Sequence, residues 1–77
     1  MKIEVLAFGK VAAITGDSLV LDGQFSDTDS LQQILQLKFP GLAGINYSLA
    51  VDKKIIHENN SLYNNSIVAL LPPFSGG

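Results

Sequence analysis

The stretch "IVALLPPFSGG", residues 67–77, joins an apolar run to two prolines and ends in two glycines. The five apolar residues that open it are typical of a strand buried on both faces of a sheet. Pro72 and Pro73 predict the end of this strand, because a proline has no backbone N–H to donate to a neighbouring strand. We therefore expect a folded domain over residues 1–71 and an extended, flexible tail over residues 72–77.

A second strand-like run, "KIEVLAF", occupies residues 2–8. Apolar residues alternate from Ile3 to Ala7, which is the pattern of a strand with one face toward a core. Leu6 and Phe8 make the opposite face apolar as well. This pattern predicts a central strand that is covered on both faces near its end.

Shorter runs predict the remaining elements of a sheet. A helical turn is expected in "KVAAIT", residues 10–15, and a second strand in "SLVLDG", residues 18–23. Two further strand-like runs, "SLAVD" at residues 48–52 and "KKII" at residues 53–56, come later in the chain. The sheet is therefore expected to have four or five strands.

One main helix is predicted between these strands. It starts near Thr28, a favourable N-cap, with Asp29 placed in the first turn to complement the helix dipole. Pro40 ends the helix after about three turns. The expected apolar stripe consists of Leu31, Ile34, Leu35 and Leu42.

The order of elements predicts the fold class. Strand, strand, helix and then two or three strands describe an α+β domain with one main amphipathic helix on a mixed four- to five-stranded sheet. This order matches a β-grasp, or ubiquitin-like, domain. In that arrangement the last strand lies beside the first, in the middle of the sheet, so the tail leaves from the most central strand.

Length and composition limit the classes of function. A chain of 77 residues forms one domain and leaves little room for an enclosed active site, which favours a carrier, an adaptor or a subunit over an enzyme acting alone. Hydrophobic residues make up 47% of the chain and charged residues 16%, so some apolar side chains should form an exposed patch for a partner.

Several kinds of chemistry are disfavoured. The net charge of −2, with five basic residues, argues against binding to nucleic acid or to an anionic membrane surface. The chain has no cysteine, and its one histidine, His57, lies in a polar segment without ligand-like spacing, so we expect no metal site and no bound cofactor. A signal peptide and a membrane span are both missing from the sequence pattern, which predicts a cytoplasmic protein.

The tail is suited to reach another protein's active site. Pro72 and Pro73 favour an extended polyproline conformation, and at about 3.3 Å per residue the tail projects its carboxylate by up to roughly 20 Å. Gly76 and Gly77 have no Cβ, so the carboxylate can enter a narrow channel. Phe74 lies beyond the last strand, where we expect it to meet a partner. Adenylation by ATP, followed by attack of a sulfur donor, would convert such a carboxylate to a thiocarboxylate.

Three stretches carry a resemblance to a known family. They are "VLAFGKVAAITG" at residues 5–16, "SLAVDKKII" at residues 48–56 and "NNSIVALLPPFSGG" at residues 64–77. Together they resemble the small subunit of molybdopterin synthase, the MoaD family of sulfur carriers, over nearly the whole chain. The related thiamine sulfur carriers share the fold and the diglycine but usually lack the double proline.

The resemblance implies a carrier role rather than catalysis by the chain itself. A ubiquitin-activator-like adenylating enzyme would use ATP to activate Gly77, and a sulfur donor would then form a thiocarboxylate there. The large subunit of a heterotetrameric molybdopterin synthase would take the sulfur to convert cyclic pyranopterin monophosphate in molybdenum cofactor biosynthesis. The residues implied to insert into that subunit are Pro72, Pro73, Phe74, Ser75 and Gly76.

Two alternatives and one surface complete these expectations. The chain could instead supply sulfur for thiamine, a tungsten cofactor or tRNA thiolation, or it could be a ubiquitin-like binding module whose diglycine is idle.

We expect the partner surface on the sheet near Phe8 and Leu70, running into Phe74. Departures from the family pattern, which bear on partner recognition, lie at Ala12, Ala13, Asp52 and Asn64-Asn65-Ser66.

Overall fold

The computed structural model describes residues 1–72 of the 77-residue chain. Its elements follow the predicted order, with a short helix after the first strand. They are β1 (Lys2–Ala7), α1 (Gly9–Thr15), β2 (Ser18–Asp22), α2 (Thr28–Lys38), a 3-10 helix (Pro40–Gly44), β3 (Ser48–Val51), β4 (Lys54–Ile56) and β5 (Ile67–Leu71).

The five strands form one mixed sheet in the order β2-β1-β5-β3-β4. β1 and β5 run parallel, with Ala7 opposite Leu70, whereas the other neighbouring strands are antiparallel. The last strand therefore lies beside the first at the centre of the sheet, as the order of elements predicts. Because β1 and β5 are parallel, both strands end at the same edge of the sheet.

The core lies between one face of the sheet and the helices. From the sheet, the alternating positions of β1 and β5 are fully buried, and α2 contributes Leu31 and Leu35 from its apolar stripe. Leu42 also reaches the core, although it lies in the 3-10 helix after Pro40 and not on the stripe of α2 itself. The strand residues in this core are Ile3, Val5, Ala7, Leu21, Leu49, Val68 and Leu70.

The start of α2 differs from the prediction. Asp27, not Thr28, is the N-cap, and its carboxylate accepts a hydrogen bond from the Ser30 N–H at 2.9 Å. The Ser30 hydroxyl in turn accepts from the Asp27 N–H, which completes a capping box. Thr28 is buried, and its hydroxyl accepts a hydrogen bond from the Asn60 N–H at 2.9 Å and donates one to the Asn59 side-chain oxygen at 3.2 Å. A long-range partner thus removes Thr28 from the capping role that its local propensity favours.

Asn59 joins the same helix start to the loop before β5. Its side-chain oxygen accepts a hydrogen bond from the Asp29 N–H, and its amide nitrogen donates to the Asp27 carboxylate at 3.2 Å. We call Asp27, Thr28, Asn59 and Asn60 the helix clasp. It holds the loop that precedes β5 against the first turn of α2.

Acid is expected to weaken the helix clasp. Hydrogen bonding from Ser30, through its side chain and its backbone N–H, and from the Asn59 amide holds the pKa of Asp27 below its ordinary value. A lowered folded pKa contributes stability that is fully present above the ordinary value of about 3.9 and is lost as pH falls through the folded pKa. We therefore expect Asp27→Asn to lower the melting temperature at pH 7, by an amount that shrinks below about pH 4.

Thermal unfolding followed by circular dichroism at pH 7 and at successively lower pH measures this difference. Asp29→Asn is the matched control, since Asp29 is an exposed carboxylate in the same turn. A wild-type advantage over Asp27→Asn that stayed constant into strong acid would contradict this account of the helix clasp.

Candidate functional site

The second face of the sheet is apolar and partly open: Leu6, Phe8, Ile67 and Ala69 keep part of their surface exposed, whereas Ala50 is buried. Leu6 on β1 lies opposite Ala69 on β5, and Ala69 lies opposite Ala50 on β3. Phe8 and Ile67 flank this row with 49% and 40% of their surfaces exposed. These five residues, which we call the open sheet face, line a groove of about 480 Å³.

The open sheet face corrects a prediction about the central strands. The apolar runs of β1 and β5 predict burial on both faces, yet α1 and α2 both contribute to the core on the same side of the sheet. Val68 and Leu70 are fully buried there, whereas Ile67 is exposed and Ala69 is only half-buried. The second face of β5 is therefore apolar without being covered by a helix of residues 1–72.

A tight turn forms one rim of the groove. Asp52 and Lys53 join β3 to β4 with φ values of 48° and 75°, as in the two-residue hairpin turns that match the twist of a sheet. The Asp52 N–H donates to the Ile67 carbonyl at 2.8 Å, and the Asp52 carboxylate accepts from the Ile67 N–H at 3.0 Å. This double contact fixes the start of β5. Lys53, the second residue of the same turn, places a positive charge at the edge of the apolar groove.

The tail leaves the domain next to the open sheet face. Pro72 follows β5, and its ring lies over Gly9, where an added Cβ would be 3.0 Å from the Pro72 Cγ. Gly9 has a φ of 57° and directly follows Phe8. We call Gly9 and Pro72 the tail exit. The parallel pairing of β1 and β5 therefore brings the exposed aromatic side chain and the root of the tail to the same edge.

The predicted partner surface is partly corrected by this geometry. Phe8 lies on the open sheet face, but Leu70 is fully buried in the core and is not available to a partner. Successive side chains of a strand point to opposite faces, so Leu70 points toward the helices while Ala69 lines the groove. The prediction of Leu70 as a surface residue is wrong by one position along β5.

The reactive end falls outside the described residues. Pro73, Phe74, Ser75, Gly76 and Gly77 are the five positions concerned, so their assignment to the tail and the proposed boundary after residue 71 stay predictions. Within residues 1–72, no group of three or more acidic or histidine side chains could hold a metal ion. No helix in that same part of the chain is long and apolar enough to cross a membrane.

Sequence reasoning did not assign Leu6, Ala50, Ile67 and Ala69 to a site. Their apolar character reads as core when the strand is considered alone, because a continuous apolar run has no alternation to tell one face from the other. The overall excess of apolar residues signals an exposed patch without locating it.

A comparison of the amino-acid sequence with known protein families shows the family of this chain. Residues 5–77 match the ThiS family, so the match includes the open sheet face, the tail exit and the tail. The chain belongs to the ThiS family. Members of the ThiS family have the β-grasp fold of small sulfur carriers, and the predicted resemblance to such carriers is confirmed.

Solved structures with a similar fold include a chain of molybdopterin-converting factor and SAMP1. It is 30% identical to a chain in the protein–protein complex of subunits 1 and 2 of molybdopterin-converting factor from Helicobacter pylori 26695, with 100% of both chains covered and a TM-score of 0.74. SAMP1 from Haloferax volcanii is 17% identical, with full coverage of both chains and a TM-score of 0.81.

A third structure supports the same fold. It comes from Pyrococcus furiosus, is described provisionally as molybdopterin converting factor subunit 1, and is 14% identical with a TM-score of 0.87 over 96% of this chain and 99% of that one. The two more distant likenesses show the fold alone, and they confirm the predicted β-grasp architecture. Among curated proteins, none matches the chain significantly.

Proposed function

We propose that this ThiS family chain is the sulfur-carrier subunit of a molybdopterin synthase, with the carboxyl group of Gly77 as the carrier group. The observation that carries the proposal is the placement of the tail exit at the edge of the open sheet face. A partner that grips the exposed Phe8 and Ile67 side chains thereby receives the root of the tail beside its contact surface. The similarity to a chain from a complex of subunits 1 and 2 supports a large-subunit partner.

Loading proceeds in two steps that the chain undergoes as a substrate. An adenylating enzyme of the ubiquitin-activator type joins the Gly77 carboxylate to AMP and releases pyrophosphate from ATP. A sulfur donor then attacks the acyl carbon, the bond to AMP breaks, and the carboxylate becomes a thiocarboxylate. Both steps need a carboxyl carbon that is accessible to another protein's active site, which a diglycine end provides.

Delivery returns the carrier to its starting form. In the large subunit of the synthase, the thiocarboxylate sulfur bonds to cyclic pyranopterin monophosphate. Water then attacks the Gly77 acyl carbon and breaks its bond to that sulfur, so Gly77 again ends in a carboxylate. Two sulfurs make one dithiolene, so two loaded carriers serve each product. This requirement fits a heterotetramer of two small and two large subunits. We place this assembly in the cytoplasm.

The open sheet face supplies the binding energy for both encounters. Full burial of a Phe or Ile side chain contributes roughly 1.5–3 kcal/mol, so Phe8 and Ile67 are the largest apolar contributions available on this face. Lys53 at the rim favours a partner that carries a carboxylate opposite it. The apolar floor gives affinity, while the charged rim selects the orientation of the partner.

Intact-mass measurement after loading tests this function. The full-length chain is incubated with the adenylating enzyme, ATP and sulfide, and we expect a mass gain equal to the replacement of one oxygen by sulfur. The gain should require ATP, because an unactivated carboxylate does not exchange its oxygen under these conditions. A chain that stays unmodified with a competent activator would support a ubiquitin-like binding module with an idle diglycine.

A second reaction separates the sulfur pathways. The ThiS family match alone also fits a carrier for thiamine, a tungsten cofactor or tRNA thiolation, and the double proline together with the 30% identity favours molybdopterin synthesis. Loaded carrier mixed with the large synthase subunit and cyclic pyranopterin monophosphate should yield molybdopterin. Sulfur release only to a thiamine or tRNA enzyme would assign the carrier to the other pathway.

A further inference from the structure

The tail exit contains a close contact in which any side chain at position 9 would crowd the Pro72 ring. A Cβ built on Gly9 would lie 3.0 Å from the Pro72 Cγ and 3.5 Å from its Cβ. The first of these distances is shorter than carbon atoms adopt without displacement of one of them. Any other residue at position 9 would therefore displace the Pro72 ring by a few tenths of an ångström.

Gly16 shows that the backbone conformation does not explain this contact. Gly9 and Gly16 flank α1, and both have positive φ values, 57° and 89°. A Cβ on Gly16 would meet nothing within 4 Å. The left-handed backbone accounts for a glycine at both positions, whereas the close approach of a second segment occurs at Gly9.

We infer that Gly9 is a positioning residue that sets the direction in which the tail leaves the domain, by holding the Pro72 ring against the start of α1. This inference rests on the proposed function, since it is the reactive end whose direction is set. Pro72 is suited to this contact because its ring fixes its own φ near −65°, so that the seat of the ring constrains the path of the next residue.

The position of Gly9 links this direction to partner binding. Phe8 precedes it on the open sheet face, so a partner bound to Phe8 holds the neighbouring Gly9 in a fixed place. The Pro72 ring resting on Gly9 is then fixed relative to the partner as well. Docking therefore aims the tail before its end reaches a reactive centre, and this prior alignment lowers the entropy lost during loading.

Three single variants test the direction of the tail without any reaction. Gly9→Ala fills the seat of the ring, Pro72→Ala removes the ring without straining Gly9, and Gly16→Ala is the control with a strained backbone but no contact to Pro72. Residual dipolar couplings of the Phe74 and Ser75 amides measure their orientation relative to the domain. We expect these couplings to change in the first two variants and to stay at wild-type values in Gly16→Ala.

Loading kinetics supply the functional readout. We expect Gly9→Ala to lower the kcat of ATP-dependent adenylation by at least about 10-fold, because misplacing a reacting group by about 1 Å can cost on the order of 10²-fold. The KM for the carrier should stay unchanged, since Gly9→Ala leaves the open sheet face intact. Gly16→Ala should match the wild type in both parameters, even though it loses thermal stability.

A double variant tests whether the two residues act through one contact. If they do, Gly9→Ala combined with Pro72→Ala is no slower than the slower single variant, whereas independent effects would multiply. Multiplying effects, unchanged couplings in Gly9→Ala, or equal losses in Gly16→Ala would each overturn the inference. Altered couplings in a carrier whose wild type is never adenylated would leave the positioning role standing and contradict the proposed function.

Discussion

Deletion of Gly77 is expected to abolish ATP-dependent sulfur loading while leaving the melting temperature unchanged. The last element of the sheet ends at Leu71, and the described contacts of the domain lie within residues 1–72. Loss of the final residue moves the carboxyl carbon back by about 3.3 Å, which is enough to lower the loading rate by more than about 10³-fold if the partner's catalytic groups are fixed.

A bulky residue at position 76 tests whether the width of the tail, and not only its length, matters for loading. Gly76→Val keeps the length of the tail but widens it, and we expect a comparable loss of loading. Gly44→Ala is a matched glycine control, because a Cβ at Gly44 meets nothing within 4 Å and should leave loading intact. Intact mass and thermal unfolding are measured for all variants. Loading at the wild-type rate without Gly77 would exclude its carboxyl group as the carrier.

Phe8→Asp is expected to weaken binding of the carrier to both partners by at least roughly 10²-fold, equivalent to about 2.7 kcal/mol. The variant removes the most exposed large side chain of the open sheet face and places a charge where the partner's apolar surface would bury it. Folding should be preserved. Phe8 is the N-cap of α1 in extended conformation and makes no side-chain capping bond, so an Asp at this position supplies a favourable cap.

Leu37→Asp is the control for charge and for loss of an apolar side chain. Leu37 lies on α2 with 83% of its surface exposed, and the same substitution there changes the net charge equally. Titration calorimetry with each purified partner should show weak binding for Phe8→Asp and near-wild-type binding for Leu37→Asp. Equal affinities of the two variants would show that partners bind the helix side or another surface instead.

The fold could be predicted because its signals are local. Apolar alternation in β1, the N-cap signals before α2 and the stop at Pro40 each act within a few residues, and they suffice to order the elements. The placement of β5 beside β1 then follows from the β-grasp topology. These signals do not depend on distant contacts, so the structure agrees with them.

Details that depend on distant contacts could not be predicted, and two of them illustrate different physical reasons. Asp27, not the predicted Thr28, is the N-cap. The N–H of Asn60, more than thirty residues away, donates a hydrogen bond to the Thr28 hydroxyl, which is therefore engaged outside the helix start. Leu70 was assigned to the surface because an unbroken apolar run carries no signal for the face toward which each side chain points. Only the packing of both helices on one side decides that Leu70 is core and Ala69 is not.

Because β5 lies in the middle of the sheet, the domain can fold only after β5 has been synthesised. β5 pairs with β1 on one side and β3 on the other, so a chain that stops before Ile67 lacks the middle of its sheet. Such a fragment leaves the pairing edges of two strands unprotected and loses the buried Val68 and Leu70. Ribosomes that terminate early would therefore release fragments open to proteolysis. Partners that recognise the folded sheet would consequently meet only molecules in which β5, the strand that leads into the tail, has been synthesised.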